Sequence, residues 1–437
     1  MPQARSRSKR SAPSLAKTFP VEEATLGNGL KIRMVPNREV PTVSLYTFFR
    51  VGSRNERPGL TGISHLFEHM MFNGAKKYGP KEFDRVLESH GGHSNAYTSN
   101  DVTVYYDDFA SEALDKVLDL ESDRMRSLAL TQKMLTSERE VVKEERRLRV
   151  DNEVVGRMDE ELNTLVYKAH PYRWPVIGWM KDIENIAQPD CAAYFRTYYA
   201  PNNATLFLAG NFDPKAALKQ IRKYYGDIPK GPPAPPVVDS EPEQLGERRA
   251  EVRHPAQAPS VMVGYRGPTS TDEDTRVLDV LQYVLSVGDG SRLVRELVFQ
   301  QELAVSVSLD WAWRFDPGMV MLYLELKPGA DPKKAEAALF EQIDRVCQGG
   351  ITDHELQKAK NNLRAHLWRE LSTNSGRAHA LGTYELFLGS WRDGLTLAER
   401  YQKITAKQVQ AAARKYLSPH LRSVVTLVPT AVEEVAA

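Results

Sequence analysis

The sequence predicts an α+β fold in two homologous domains, each a mainly antiparallel sheet covered by helices, on three observations. The first is a proline- and charge-rich stretch at 229–258, PKGPPAPPVVDSEPEQLGERRAEVRHPAQA, poor in periodic apolar residues and read as a linker. The second is an echo between the halves. Tyr194-Phe195-Arg196-Thr197-Tyr198-Tyr199-Ala200-Pro201 and its apolar strand Ala204-Thr205-Leu206-Phe207-Leu208-Ala209 return as Ala413-Arg414-Lys415-Tyr416-Leu417-Ser418-Pro419 and Ser423-Val424-Val425-Thr426-Leu427-Val428. The third is that strand patterns come before long helical patterns, an order that favours a sheet with helices on one face. The division is a basic, disordered tail (1–17), a first domain (18–228), the linker (229–258) and a second domain (259–437).

Taken in order, Leu30 to Val35 and Val43 to Phe48 have strand character. A helical segment runs from about Gly62 to Asn73. His93 to Thr98 and Val102 to Tyr106 flank Ser99-Asn100-Asp101 and read as a hairpin, and helical patterns then cover 109–126 and 132–168. With 437 residues, 41% hydrophobic and 26% charged, there is ample material for large cores. Lys+Arg 58 against Asp+Glu 57 leaves a net charge of +1, which argues against nucleic acid as a partner. No apolar run is long enough to span a bilayer. Cys191 and Cys347 lie in opposite halves and read as small buried hydrophobes. The start, with Arg5, Arg7, Lys9 and Arg10 but no apolar run after them, is not a secretory signal.

The chemistry concentrates in His65-Leu66-Phe67-Glu68-His69. Residues four apart on a helix lie one turn from each other on one face, so both imidazoles can reach one metal ion. Glu68 projects beside them and can take a proton from water without being a ligand. The apolar setting of Ile63, Leu66, Phe67, Met70, Met71 and Phe72 is wrong for a solvated face. Zinc with catalytic work to do needs a third protein ligand and an open position. Glu138 and Glu145, two helical turns apart, share a face; one can bind the metal while the other orients a histidine or the peptide. His90 and His93 lack ligand spacing, and the Trp311-Ala312-Trp313-Arg314-Phe315 cluster reads as core or chamber lining.

These segments resemble the pitrilysin/insulinase family of inverted-motif zinc peptidases. The resemblance rests on Gly62 to Gly74, on Gly91-Gly92-His93-Ser94-Asn95-Ala96-Tyr97-Thr98 and on Glu138-Arg139-Glu140-Val141-Val142-Lys143-Glu144-Glu145, with the duplicated layout, and covers the chain from about residue 18. It implies one Zn2+ per chain held by His65, His69 and Glu145, with Glu68 as general base and Glu138 supporting the site. It further implies that Asn95, Ala96, Tyr97 and Thr98 form an edge strand onto which substrate adds, and that the chain is half of a clamshell around a chamber that admits peptides or unfolded segments.

One departure stands out. Active single-chain or homodimeric relatives carry an arginine, and a tyrosine seven positions later, in the second domain; the matching positions here are Val298 and Val305. Arg292, Arg295 and Tyr384 are the neighbouring candidates for a substitute. The expectation is a zinc-bearing endopeptidase subunit of a heterodimer whose homologous partner supplies the Arg/Tyr pair, with a homodimer second. Alternatives are a narrow-specificity processing peptidase and a non-catalytic scaffold subunit. The expected compartment is the cytoplasm or periplasm of a bacterium, with the mitochondrion second.

Overall fold

In the computed structural model, residues 19–237 and 241–431 are described; the expected basic tail lies outside them. The first half lays down β1 (Glu22–Thr25), β2 (Lys31–Pro36), β3 (Thr42–Phe49), β4 (His93–Thr98), β5 (Thr103–Ala110) and β6 (Ala204–Gly210) as one sheet in the order β1-β2-β6-β3-β5-β4. The second supplies β7 (Arg248–Pro255), β8 (Ser260–Arg266), β9 (Ala304–Trp311), β10 (Met319–Leu326) and β11 (Arg422–Thr430), in the order β7-β11-β8-β10-β9. Strands β2-β6-β3-β5-β4 thus recur as β7-β11-β8-β10-β9. In both sheets the parallel pair falls at the same place, β2 with β6 and β7 with β11, and the other pairings are antiparallel. The echo read from the sequence is a duplicated topology.

Helices α1 (Ile63–Met70), α2 (Glu82–Ser89), α3 (Leu114–Ser127), α4 (Gln132–Arg146), α5 (Val154–Val166), α6 (Met180–Asn185), α7 (Gln188–Tyr198) and α8 (Pro214–Tyr225) belong to the first half. Of these, all but α5 contribute to the core on one face of the first sheet, through residues such as Phe67, Leu87, Leu118, Val142, Ile183, Tyr194 and Ile221. Strand alternation sends Leu206 and Leu208 into that core and Phe207 and Ala209 to the opposite face. In the second half, α9 (Glu273–Leu285), α10 (Pro332–Gly349) and α11 (Asp353–Glu370) pack in a core with Val261, Val263 and Leu324.

Four expectations need correction. The sheets are covered on both faces, not one, because each half lends a helix to the other. Helix α12 (Asn374–Phe387) packs Ala378 and Leu381 in one core with Tyr46, Phe48 and Phe207 of the first sheet. Helix α5 reciprocates by setting Met158, Leu162 and Val166 against Met262, Val425 and Leu427 of the second. A fully buried side chain of this size contributes roughly 1.5–3 kcal/mol, so these exchanged helices bind the halves firmly. Gly382 is required at one crossing, since a Cβ there would lie 2.1 Å from the Phe48 ring.

Residues 248–255, read as linker, are strand β7; its alternation of half-buried and exposed side chains suits an edge position where charge stays in water. The helical stretch 132–168 is two helices, parted by a π-helical turn at Arg147–Asp151. Gly156 permits the chain to fold back there, its position for a Cβ being 2.2 Å from the Arg149 carbonyl oxygen. Finally, Phe109 and Ala110 end strand β5 rather than begin a helix. No helix among the described residues is long and apolar enough to cross a membrane.

Candidate metal centre

Helix α1 begins at Gly62, whose φ of 88° and close approach to the Ile177 carbonyl (2.4 Å from a would-be Cβ) exclude a side chain. Its orphan N–H groups are met by a residue with no motif to announce it. Glu56, buried, accepts from Gly62 N and Ser64 N, each at 2.8 Å, through its two oxygens. Burial pushes its carboxyl up to about 8, against the pull of those N–H groups. Ser64 and Tyr194 hydroxyls meet at 2.6 Å, and Tyr105 donates to the Phe67 carbonyl at 3.1 Å. Leu66, Phe67 and Met70 are wholly buried in the core, which leaves His65, Glu68 and His69 on the cleft side. Glu56→Ala should therefore destabilise the fold by roughly 2–4 kcal/mol, two buried donors being left unpaired, with Glu56→Gln milder. Urea denaturation of the metal-free chain measures it.

Helix α4 crosses α1 and brings its two glutamates to the histidines. Glu145 Oε2 lies 3.1 Å from His69 Nε2 and 3.6 Å from His65 Nε2, and Glu138 Oε2 faces His69 Nδ1 at 3.5 Å. The two imidazole centroids are 4.9 Å apart. One ligand atom from each of His65, His69 and Glu145 falls within 4.8 Å of the others. Zinc bonds of about 2.1 Å require tetrahedral ligand atoms roughly 3.4 Å apart, so the Glu145 distances already suit an ion. Glu145 Oε2, the oxygen that faces both imidazoles, is buried with no hydrogen-bond partner among the described residues, which fits an atom arranged for an ion. Glu138, on the far nitrogen of His69, stands where an outer carboxylate orients a ligating imidazole.

The electrostatics agree with that division. Burial and the neighbouring His69 lower His65 to about 4. For His69, burial opposes the cation, but Glu138 and Glu145 outweigh it and raise the imidazole to about 9. Both carboxylates are lowered, His69 being the largest cause for each. Glu145 Oε1 is tethered by Arg149 Nη1 at 3.1 Å. Glu68 is raised by burial, opposed by Thr98 and His69.

His65, Glu68, His69 and Glu145, but not Glu138, line a cleft of about 1120 Å³ with Asn95, Ala96, Tyr97 and Thr98 and the exposed apolar Val141 and Leu148. Strand β4 is the end of its sheet, so one row of its backbone groups has no strand partner among the described residues. Its side chains divide by alternation. Tyr97 turns away toward the second half and hydrogen-bonds His379 at 2.9 Å, leaving its backbone at the cleft. Leu148, Arg149, Val150, Val176 and Ile177 also line a second cavity of about 900 Å³, walled partly by Trp311, Ala312 and Arg314. His90 and His93 are exposed and outside the site.

In the second half Val298 is half-buried against the core and Val305 is exposed on β9. Arg292 is committed to Glu355, with Nε–Oε1 at 2.5 Å, and to the Gly350 carbonyl. Tyr384 is buried, its hydroxyl directed at Glu370.

A duplicated sheet-and-helix chain with two helix-borne histidines, a glutamate between them and a glutamate from a second helix has the parts a metallopeptidase site requires. Residues 33–178 match the profile described as Insulinase (Peptidase family M16), and residues 185–363 that described as Peptidase M16 inactive domain. The chain belongs to this M16 insulinase family of peptidases. It is 33% identical to Zinc protease PqqE of Helicobacter pylori over 83% of each chain. To the probable mitochondrial-processing peptidase subunit beta of Arabidopsis thaliana it is 25% identical, over 90% of this chain and 75% of the other. The crystal structure of a protease from Helicobacter pylori superposes with a TM-score of 0.91 at 29% identity, covering 94% of this chain and all (100%) of that one.

Proposed function

We propose that this chain is a zinc-dependent endopeptidase acting on peptides or unfolded segments, and the catalytic subunit of a heterodimer. The observation that carries the activity is Glu68, a carboxyl lifted by burial, in the same cleft as the converging His65, His69 and Glu145 and an unpaired strand edge. Zinc held by those three residues would supply Lewis acidity, polarising a scissile carbonyl and acidifying water. Glu68 takes the proton from the attacking water and returns it to the leaving amine, work suited to a carboxyl whose affinity for protons has been raised. Strand β4 binds an extended peptide through its free backbone groups, which selects for chain segments that are not already folded. Glu138 fixes the His69 ring.

The partner reading rests on valine. Val298 and Val305 offer no donor to a carbonyl oxygen or an oxyanion; of the neighbouring candidates Arg292 and Tyr384 are engaged elsewhere, and Arg295 is exposed one turn before Val298. The chain purified alone and loaded with zinc should therefore hydrolyse an unfolded peptide slowly. A homologous partner purified with it should raise the rate by about 10²–10³, and a chelator should abolish both activities. Full activity of the chain alone would remove the partner from the proposal; metal-independent cleavage, or none with the partner present, would remove the peptidase.

A further inference from the structure

The turn at 99–101 that joins β4 to β5 and the loop at 312–318 that joins β9 to β10 are equivalent places in the two halves, and they meet. Asp101, wholly buried, accepts from the Tyr172 hydroxyl at 2.7 Å and, from the other half, from Phe315 N at 3.2 Å. Arg54 bridges the halves, with Nε 3.3 Å from Asp101 and 3.0 Å from Asp316. His170 Nε2 stands 3.0 Å from the same Asp316 oxygen. The Tyr172 hydroxyl also accepts from Asp316 N at 3.2 Å, and Tyr167 donates to the Pro317 carbonyl at 3.1 Å. The Phe315 ring lies beneath the Arg50 guanidinium (4.2 Å to the centroid) and beside Phe387 (4.9 Å).

Both sides of this junction are stiff. Ser53 N and Arg54 N donate to the carbonyls of Ser99 and Asn100 at 3.2 and 2.8 Å. The partner loop is pinned to its own half by Gly267 N to Gly318 O and Ser270 N to Arg314 O, both 2.8 Å. Strand β4 itself pairs with one strand, β5, and none of its six residues is fully buried. Its end, Thr98, stands beside Glu68 one residue before the clamped turn.

We propose that the 312–318 loop of the second half positions the β4 edge beside Glu68, with Asp316 and Tyr172 as its positioning residues. The duplicated hairpin thus acts as a brace for the hairpin that takes the peptide, so the two halves contribute jointly to a site whose metal residues all lie in one. This rests on the reading of β4 as the peptide-binding edge.

The test uses the full, zinc-loaded chain and two variants, Asp316→Ala and Tyr172→Phe; the second removes one oxygen and keeps the ring, so it serves if the first does not fold. Amide exchange in those β4 groups that bond β5 should quicken about tenfold in each variant, while 63–70 and 132–146 keep wild-type protection. Metal content should be unchanged. KM for an unfolded peptide should rise about tenfold with kcat within about twofold. Asp316→Asn, which keeps an acceptor toward Arg54, should fall between. Uniform loss of protection across both halves, unchanged exchange in β4, or a fall in kcat at constant KM would each overturn the proposal. A wild-type chain that cleaves no peptide sinks the peptidase reading instead, and the exchange measurement still decides whether the loop holds the strand.

Discussion

Glu68→Gln should leave the zinc content of the purified chain at its wild-type level and reduce kcat for peptide hydrolysis by about 10²–10⁴-fold, the range over which a positioned general base acts. The substitution is nearly isosteric and removes only the capacity to hold a proton. Glu68 is not among the atoms that converge for the ion, so the metal has no reason to leave. Its surroundings explain why the effect should fall on kcat. Burial raises the carboxyl and Thr98 and His69 oppose the rise, so it holds a proton more readily than a free carboxylate. Elemental analysis together with a fluorogenic peptide assay makes the measurement. A wild-type rate in the Gln variant would move the base elsewhere, and a loss of zinc would make Glu68 a ligand.

What could be read in the sequence was local. His65, Glu68 and His69 announce themselves because helical spacing alone puts them on one face, and the 93–106 hairpin follows from alternation around a polar turn. The duplication was visible because its closing segments keep a tyrosine (Tyr198 and Tyr416) and a proline (Pro201 and Pro419) in register, each before an apolar strand. The helix break at Arg147–Asp151 was hidden for a related reason: Leu148, Val150, Val154, Val155 and Met158 carry an apolar pattern across it, and a π-helical turn interrupts geometry without interrupting composition. Strand β7 was hidden because an edge strand rich in arginine looks like a linker.

The residues that hold the site were the least legible. Arg54 reaches Asp316 across 262 residues and Tyr172 reaches Asp101 across 71, so each is an ordinary polar residue until the chain folds. Glu56 is likewise a lone acid in the sequence, and only the entry angle of α1 makes it a cap. Tyr97 carries a contact that strand membership does not announce: its hydroxyl meets His379 of the second half, while the residue still lines the cleft with Asn95, Ala96 and Thr98.

Glu145→Ala and Glu138→Gln should separate the two glutamates, which the sequence spaces alike and the fold does not treat alike. Removing Glu145 takes away the one carboxylate that both imidazoles face, at 3.1 and 3.6 Å, and zinc affinity should fall by more than about 100-fold, beyond the 10–100-fold that an outer partner is worth. Glu138 touches only the far nitrogen of His69, at 3.5 Å, so its loss should cost affinity within that 10–100-fold range. Competition against a chromophoric chelator reads both. The split should also appear in activity when zinc is supplied in excess: Glu138→Gln recovers most of its rate, because the ligand set is intact and only the ring's orientation has loosened. Glu145→Ala does not recover, because an ion held by two imidazoles alone is neither retained nor fixed relative to Glu68. Equal losses in the two variants would mean that the pair acts as one unit, with either carboxylate able to reach the ion.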